Sequence, residues 1–139
     1  MYSSYNKPIA VHLVSRPKAC IPVGYHLAAA FEYKEPAYLF IIELHRDGLR
    51  MLTLRDFAND RAVEFLRTIC HPRLINAAIR RLNYIIDRAE TLRYDPLFHN
   101  CEHFARYVVL GKQESIQVKT IAGFGILAGA GLFALLNSE

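Results

Sequence analysis

Apolar residues fall in short runs over the first half of the chain and at helical spacing over the second. Ile9 to Val14 predicts a short strand, broken by Arg16-Pro17-Lys18. Tyr25 to Tyr33 predicts a second strand, closed by Lys34-Glu35-Pro36. Ala37 to Arg46, rich in aromatic and β-branched residues, predicts a third. Asp47-Gly48 is a tight-turn signal, and Leu49 to Leu54 follows as a fourth strand, so the four form an antiparallel meander. Leu54 to Asn59 predicts a short helical turn. Ala62 to Ile69 predicts one more strand, closed by His71-Pro72.

The period then changes. Leu74, Ala78, Leu82, Ile85 and Ala89 recur at helical spacing, with Arg80, Arg81, Arg88 and Arg93 elsewhere on the cylinder. This predicts an amphipathic helix lying on a sheet, its arginines forming a solvated face. Tyr94 to His99 is a connector containing Pro96, and a second helix runs from about Asn100 to Leu110 with Gly111 as its C-cap. A last helix is expected to start near Ser115 and enter the apolar run Ile121 to Leu136. Strands first and helices later is the order of an α+β domain, an antiparallel β-sheet packed against helices. The boundaries are a domain over 1–119 and a hydrophobic tail over 120–139.

Length and composition narrow the class. The 139 residues are one domain's worth, and 53% hydrophobic against 22% charged is globular composition. The net charge of +4 is mildly basic. It suits an anionic membrane surface as well as anything else, and nucleic-acid binding is not expected. The cysteines, Cys20, Cys70 and Cys101, are odd in number and none forms CxxC. That argues against a disulfide framework and for a reducing compartment.

Candidate chemistry concentrates at His99-Asn100-Cys101-Glu102-His103-Phe104. Asn100 is a good N-cap, which makes Cys101 the first helical residue. The positive end of the helix favours a thiolate, the species that attacks an acyl carbonyl. Cys101, Phe104, Ala105 and Val108 share one helical face, pointing the sulfur toward the sheet. The alternative is a small buried hydrophobe. A metal is not expected: His99, Cys101 and His103 are scattered around a helix by their spacing, and nothing completes a tetrahedron. No cofactor is called for.

A nucleophilic cysteine needs a base, and the base an orienting group. His26 opens the second strand, with the small Ala28 and Ala30 on its own face. It is the best-placed base, or else a hydrogen-bonded histidine at a strand end. On the third strand Glu43 and His45 share a face and either could orient His26; both could equally be solvent-facing.

The stretch Asn100-Cys101-Glu102-His103-Phe104-Ala105, followed by Gly111, Ser115, Gln117 and Val118, resembles the NC-box of the lecithin:retinol acyltransferase-like family. That family belongs to the NlpC/P60 class of thiol enzymes, in a permuted, papain-like order with histidine before cysteine. His26 and its apolar strand are similar to the family's H-box, although Leu27 stands where an aromatic residue is common. Tyr94, Leu97 and Phe98, the preceding amphipathic helix and the apolar tail also fit. The resemblance implies a Cys101 nucleophile, His26 as general base and a covalent acyl-thioester. It also implies acyl lipids, typically glycerophospholipids, as substrates. The third member is His45 by residue type and Glu43 if counted from the strand's apolar core; His45 is preferred. Asn100 caps the helix and would support the oxyanion.

The tail completes the expectation. Ile121 to Leu136 is sixteen residues without a polar side chain, about 24 Å as a helix, against a hydrocarbon core of about 30 Å. Gly125 and Gly129 form a GxxxG packing motif, and Lys112 and Lys119 precede the run. A membrane-associated thiol acyltransferase or phospholipase follows, held at the cytoplasmic face of a membrane by residues 121–136. The other readings are a non-catalytic H-box/NC-box interaction protein of the viral non-structural type, and a thiol amidase or peptidase.

Overall fold

A computed structural model describes residues 7–18, 24–35, 37–91 and 100–112. Five strands form one antiparallel sheet: β1 (Ala10–Pro17), β2 (Tyr25–Tyr33), β3 (Tyr38–His45), β4 (Gly48–Leu52) and β5 (Glu64–Ile69). Three helices accompany it: α1 (Leu54–Ala58), α2 (Pro72–Ile86) and α3 (Cys101–Leu110). The α+β class is as expected. The expected C-terminal helix over the apolar run lies outside the described residues, as do Cys20, the 94–99 connector and Arg93.

The sheet order is β4-β3-β2-β1-β5. Strands β1 to β4 are the expected meander, and β5 crosses back to pair with β1 at the opposite edge. β1 runs through the Arg16-Pro17 pair that was expected to break it. Its pairing with β5 ends at Ser15↔Glu64, so Pro17 owes no ladder hydrogen bond on that side. At the β3–β4 hairpin His45 pairs with Gly48, which takes φ +118°, a conformation that resists a Cβ.

The two faces of the sheet are covered unequally. Val11, Leu13, Leu27, Ala29 and Phe31 meet α2 and α3, whose Ala78, Phe104, Ala105 and Val108 are buried. Fully burying a side chain such as Phe104 or Val108 contributes about 2 kcal/mol. The other face, with Val14, Ala28, Ala30 and Ile41, is covered by Phe57 of α1. Helix α2 buries Ile75, Ala78 and Leu82, while Leu74 is exposed, one step round from the expected stripe. The helix ends at Ile86 with Asp87 as its cap, so Ala89 lies beyond it.

The arginines of α2 are not one solvated face. Arg81 donates from Nε to the Val108 carbonyl at 2.9 Å and from a terminal nitrogen to that of Val109 at 3.1 Å. These two carbonyls belong to the last turn of α3, where no helical N–H follows to satisfy them. Arg81 therefore fixes the end of the helix whose other end carries the thiol. Arg88 instead lies over the Tyr84 ring, 3.7 Å from its centroid.

Candidate active site

Asn100 caps α3 as its sequence requires. Its side-chain oxygen accepts the His103 N–H at 3.0 Å, and its extended backbone turns the chain into the helix at Cys101. Cys101, Phe104, Ala105 and Val108 all face inward and are buried, and Cys101 itself is 2% exposed. The thiol sits at the N-terminal, positive end of the helix.

The sheet opens to receive it. β2 pairs with β1 down to Tyr25↔Pro17, but its ladder with β3 stops at Ala29↔Ile42. In the stretch without a β3 partner, the Leu27 N–H donates to the Cys101 sulfur. One residue earlier, the His26 ring hydrogen-bonds the same sulfur. Phe57 of α1 packs over that ring, with centroids 5.9 Å apart.

The other side of His26 is closed by Glu43. His26 Nε2 bonds a carboxylate oxygen of Glu43, which leaves Nδ1 for the sulfur. Glu43 is wholly buried, and its second oxygen accepts from Arg50, at 2.9 Å from Nε and also from a terminal nitrogen. Glu43 and Arg50 are directly opposed across the β3–β4 hairpin.

The preference for His45 as orienting residue is therefore corrected. His45 accepts the Asp47 N–H at 3.3 Å and lies 3.2 Å from the Asp47 carboxylate, at the hairpin end. Two physical reasons favour Glu43. Continuing the β2–β3 register places it opposite Ala28, whose small side chain leaves room to lean toward His26. A carboxylate also compensates an imidazolium charge, which a second imidazole does not. Burial, followed by the Arg50 charge, lowers the pKa of His45.

The electrostatics follow from this geometry. Burial pushes His26 down, but the Cys101 charge, its hydrogen bond and Glu43 more than offset that, raising the pKa from 6.5 to about 9. Burial pushes Glu43 up, but His26 and then Arg50 hold it at about 2, below its usual 4.5. Burial likewise pushes the Cys101 thiol up. The His26 charge and hydrogen bond, the Leu27 N–H and the Lys18 charge outweigh it, and the thiol is lowered from 9.0. Thiol, imidazole, carboxylate and guanidinium thus form one chain from the buried sulfur to the half-exposed Arg50. Each buried charge is paired and hydrogen-bonded, the condition under which such charges are tolerated.

Three contributors were absent from the sequence expectation: Arg50, Lys18 and the Leu27 N–H. Lys18 is 5% exposed, and its N–H donates to the Gly24 carbonyl at 2.8 Å, bringing the end of β1 to the start of β2. Cys70 is exposed and unbonded to any other cysteine. Among the described residues no three His, Cys, Asp or Glu side chains are placed to hold a metal ion, and no helix is long and apolar enough to cross a membrane. Comparison with known proteins finds no matching family model, no similar curated protein and no similar solved structure.

Proposed function

We propose that this chain is a thiol enzyme with Cys101 as nucleophile, His26 as acid and base, and Glu43 as the group that orients His26. Its particular activity is acyl transfer or hydrolysis on membrane glycerophospholipids. The reading rests above all on the Cys101–His26–Glu43 chain of hydrogen bonds. The lipid substrate rests on the NC-box and H-box resemblance and on the apolar run 121–136.

The chemistry balances on these residues alone. The Cys101 thiolate adds to the ester carbonyl and forms a C–S bond. The oxyanion would draw on Asn100 and the first-turn N–H groups of α3. The ester C–O bond breaks as His26 donates its Nδ1 proton to the leaving alkoxide. His26, now neutral, accepts a proton from an alcohol, amine or water. The new nucleophile attacks the thioester and the thiolate departs.

The first test is iodoacetamide alkylation against pH, read at each cysteine by mass spectrometry. Cys101 is expected to titrate well below the free-thiol value of about 8.5. His26→Ala is expected to return Cys101 toward that value. A second reading, a non-catalytic scaffold keeping the same boxes, draws on the near-complete burial of Cys101. A Cys101 that titrates at the free-thiol value would favour it and remove the enzyme.

Membrane attachment is tested in the full chain. Leu127→Asp with Leu132→Asp puts two charges into the apolar run, at about 3 kcal/mol each in a bilayer. Co-sedimentation with vesicles of phosphatidylcholine and phosphatidylserine is expected to fall at least tenfold. Unchanged sedimentation would show that the tail is not the anchor.

A further inference from the structure

The pairing of β1 with β5 slips by one residue: Leu13 faces Arg67, but Val14 faces Phe65. Leu66 is the extra residue, a β-bulge on an edge strand. Such bulges recur beside active sites, where they re-aim a side chain. Here Leu66 is turned into a groove of about 180 Å3 on the α3 side of the sheet and remains 39% exposed. Tyr25 and Leu27 supply further apolar wall, and Ser15, Glu102 and Arg106 also line the groove.

The groove adjoins the thiol through Leu27 and Glu102, which line it and flank the sulfur. Leu27, part of its wall, is the residue whose N–H the Cys101 sulfur accepts. Glu102, which follows Cys101 in the chain, is 2% exposed and paired with Arg106 at 2.9 Å. Its charge is thereby compensated, while the second carboxylate of the lining, Glu64, belongs to an exposed residue at the start of β5. The opening is smaller than the 300 Å3 or more typical of sites for drug-sized ligands, so it holds a short stretch of chain.

We infer that this groove is the subsite for the first carbons of the transferred acyl group, with Leu66 and Tyr25 at its mouth and the remainder of the chain outside. The inference rests on the proposed thioester chemistry. It makes the bulge at Leu66 a determinant of acyl length.

The experiment treats the full chain with p-nitrophenyl acetate, butyrate and octanoate and follows the Cys101 adduct by mass. In each case the C–S bond forms, the ester C–O bond breaks and nitrophenolate leaves with the electron pair. In the native chain the rate is expected to rise about fourfold for each methylene the groove buries, and then to level off. Leu66→Trp, which fills the groove, should lower the octanoate-to-acetate ratio at least tenfold. Leu66→Asp, which puts a charge in it, should do the same, so a folding failure in one variant leaves the other. Adducts that form with native ratios in both variants overturn the subsite and leave the thioester reading standing. No adduct with any ester, in a chain whose Cys101 still alkylates, overturns both.

Discussion

Cys101→Ala is expected to lower acyl transfer about 10^4-fold or more while leaving the domain folded. Nucleophile deletions in covalent catalysis reach this size because no neighbouring group can take over the bond-forming role. Here the only other described thiol, Cys70, is exposed and outside the site. The fold should survive because α3 is anchored by Phe104, Ala105 and Val108 and, at its far end, by Arg81, none of which touches the sulfur's role. With the thiolate gone, the principal charge that raised His26 is gone too, and the imidazole can sit neutral beside Glu43. The measurement is product formation from an ester substrate beside thermal unfolding followed by circular dichroism. Turnover within tenfold of the native chain sinks the mechanism. A collapsed melting curve would instead assign Cys101 a structural role.

Glu43→Gln should produce the second-largest effect, on stability and on the pH profile together. Removing one partner of a buried ion pair costs about 3 kcal/mol or more, since the other partners stay buried without compensation. The direction with pH follows from Glu43 itself. Its folded value of about 2 lies below its usual 4.5, so its contribution is fully present above pH 4.5 and is lost as the pH falls from 4.5 toward 2. That gap corresponds to about 3 kcal/mol. Urea unfolding at a series of pH values should show the native chain losing its advantage over the Gln variant across that window. Parallel curves would mean that Glu43 carries no such linkage.

The same substitution reshapes activity. His26 must hold a proton to release the alkoxide, and its value of about 9 sets an alkaline limit on turnover. Without the carboxylate that limit should move to lower pH. The acid limit, set by the thiolate, should move up as its imidazolium partner weakens. The window narrows from both sides.

Several features of this site follow from local sequence. The strand Tyr25 to Tyr33, the Asn100 cap and the inward face of α3 are set by alternation, capping chemistry and helical spacing. Arg50 was legible in principle. A tight hairpin with His45 opposite Gly48 forces Glu43 opposite Arg50, and an acid facing a base across a hairpin is a recognisable pair. The choice between Glu43 and His45 was not legible, because it turns on where the β2–β3 ladder ends. Lys18 read as part of a strand break because the β5 partner strand, which runs out at Ser15, lies dozens of residues away. Arg81 looked like surface charge because its two carbonyl partners belong to another helix. The bulge at Leu66 has no local signature, as it exists only in the pairing of two strands.

The opened edge between β2 and β3 also sets a schedule. Base, orienting carboxylate and guanidinium belong to strands that leave the ribosome before Cys101 does. The sulfur acquires its acidity only when α3 docks against β2, where His26 and the Leu27 N–H meet it. Until then, with His26 far off along an unfolded chain, Cys101 is an ordinary thiol, about as acidic as any free cysteine. Nucleophilicity follows the thiolate fraction, so the reactivity of this sulfur arrives with the fold. The acidity of the thiol is thus a property of the assembled sheet and helix, not of the sequence around Cys101 alone.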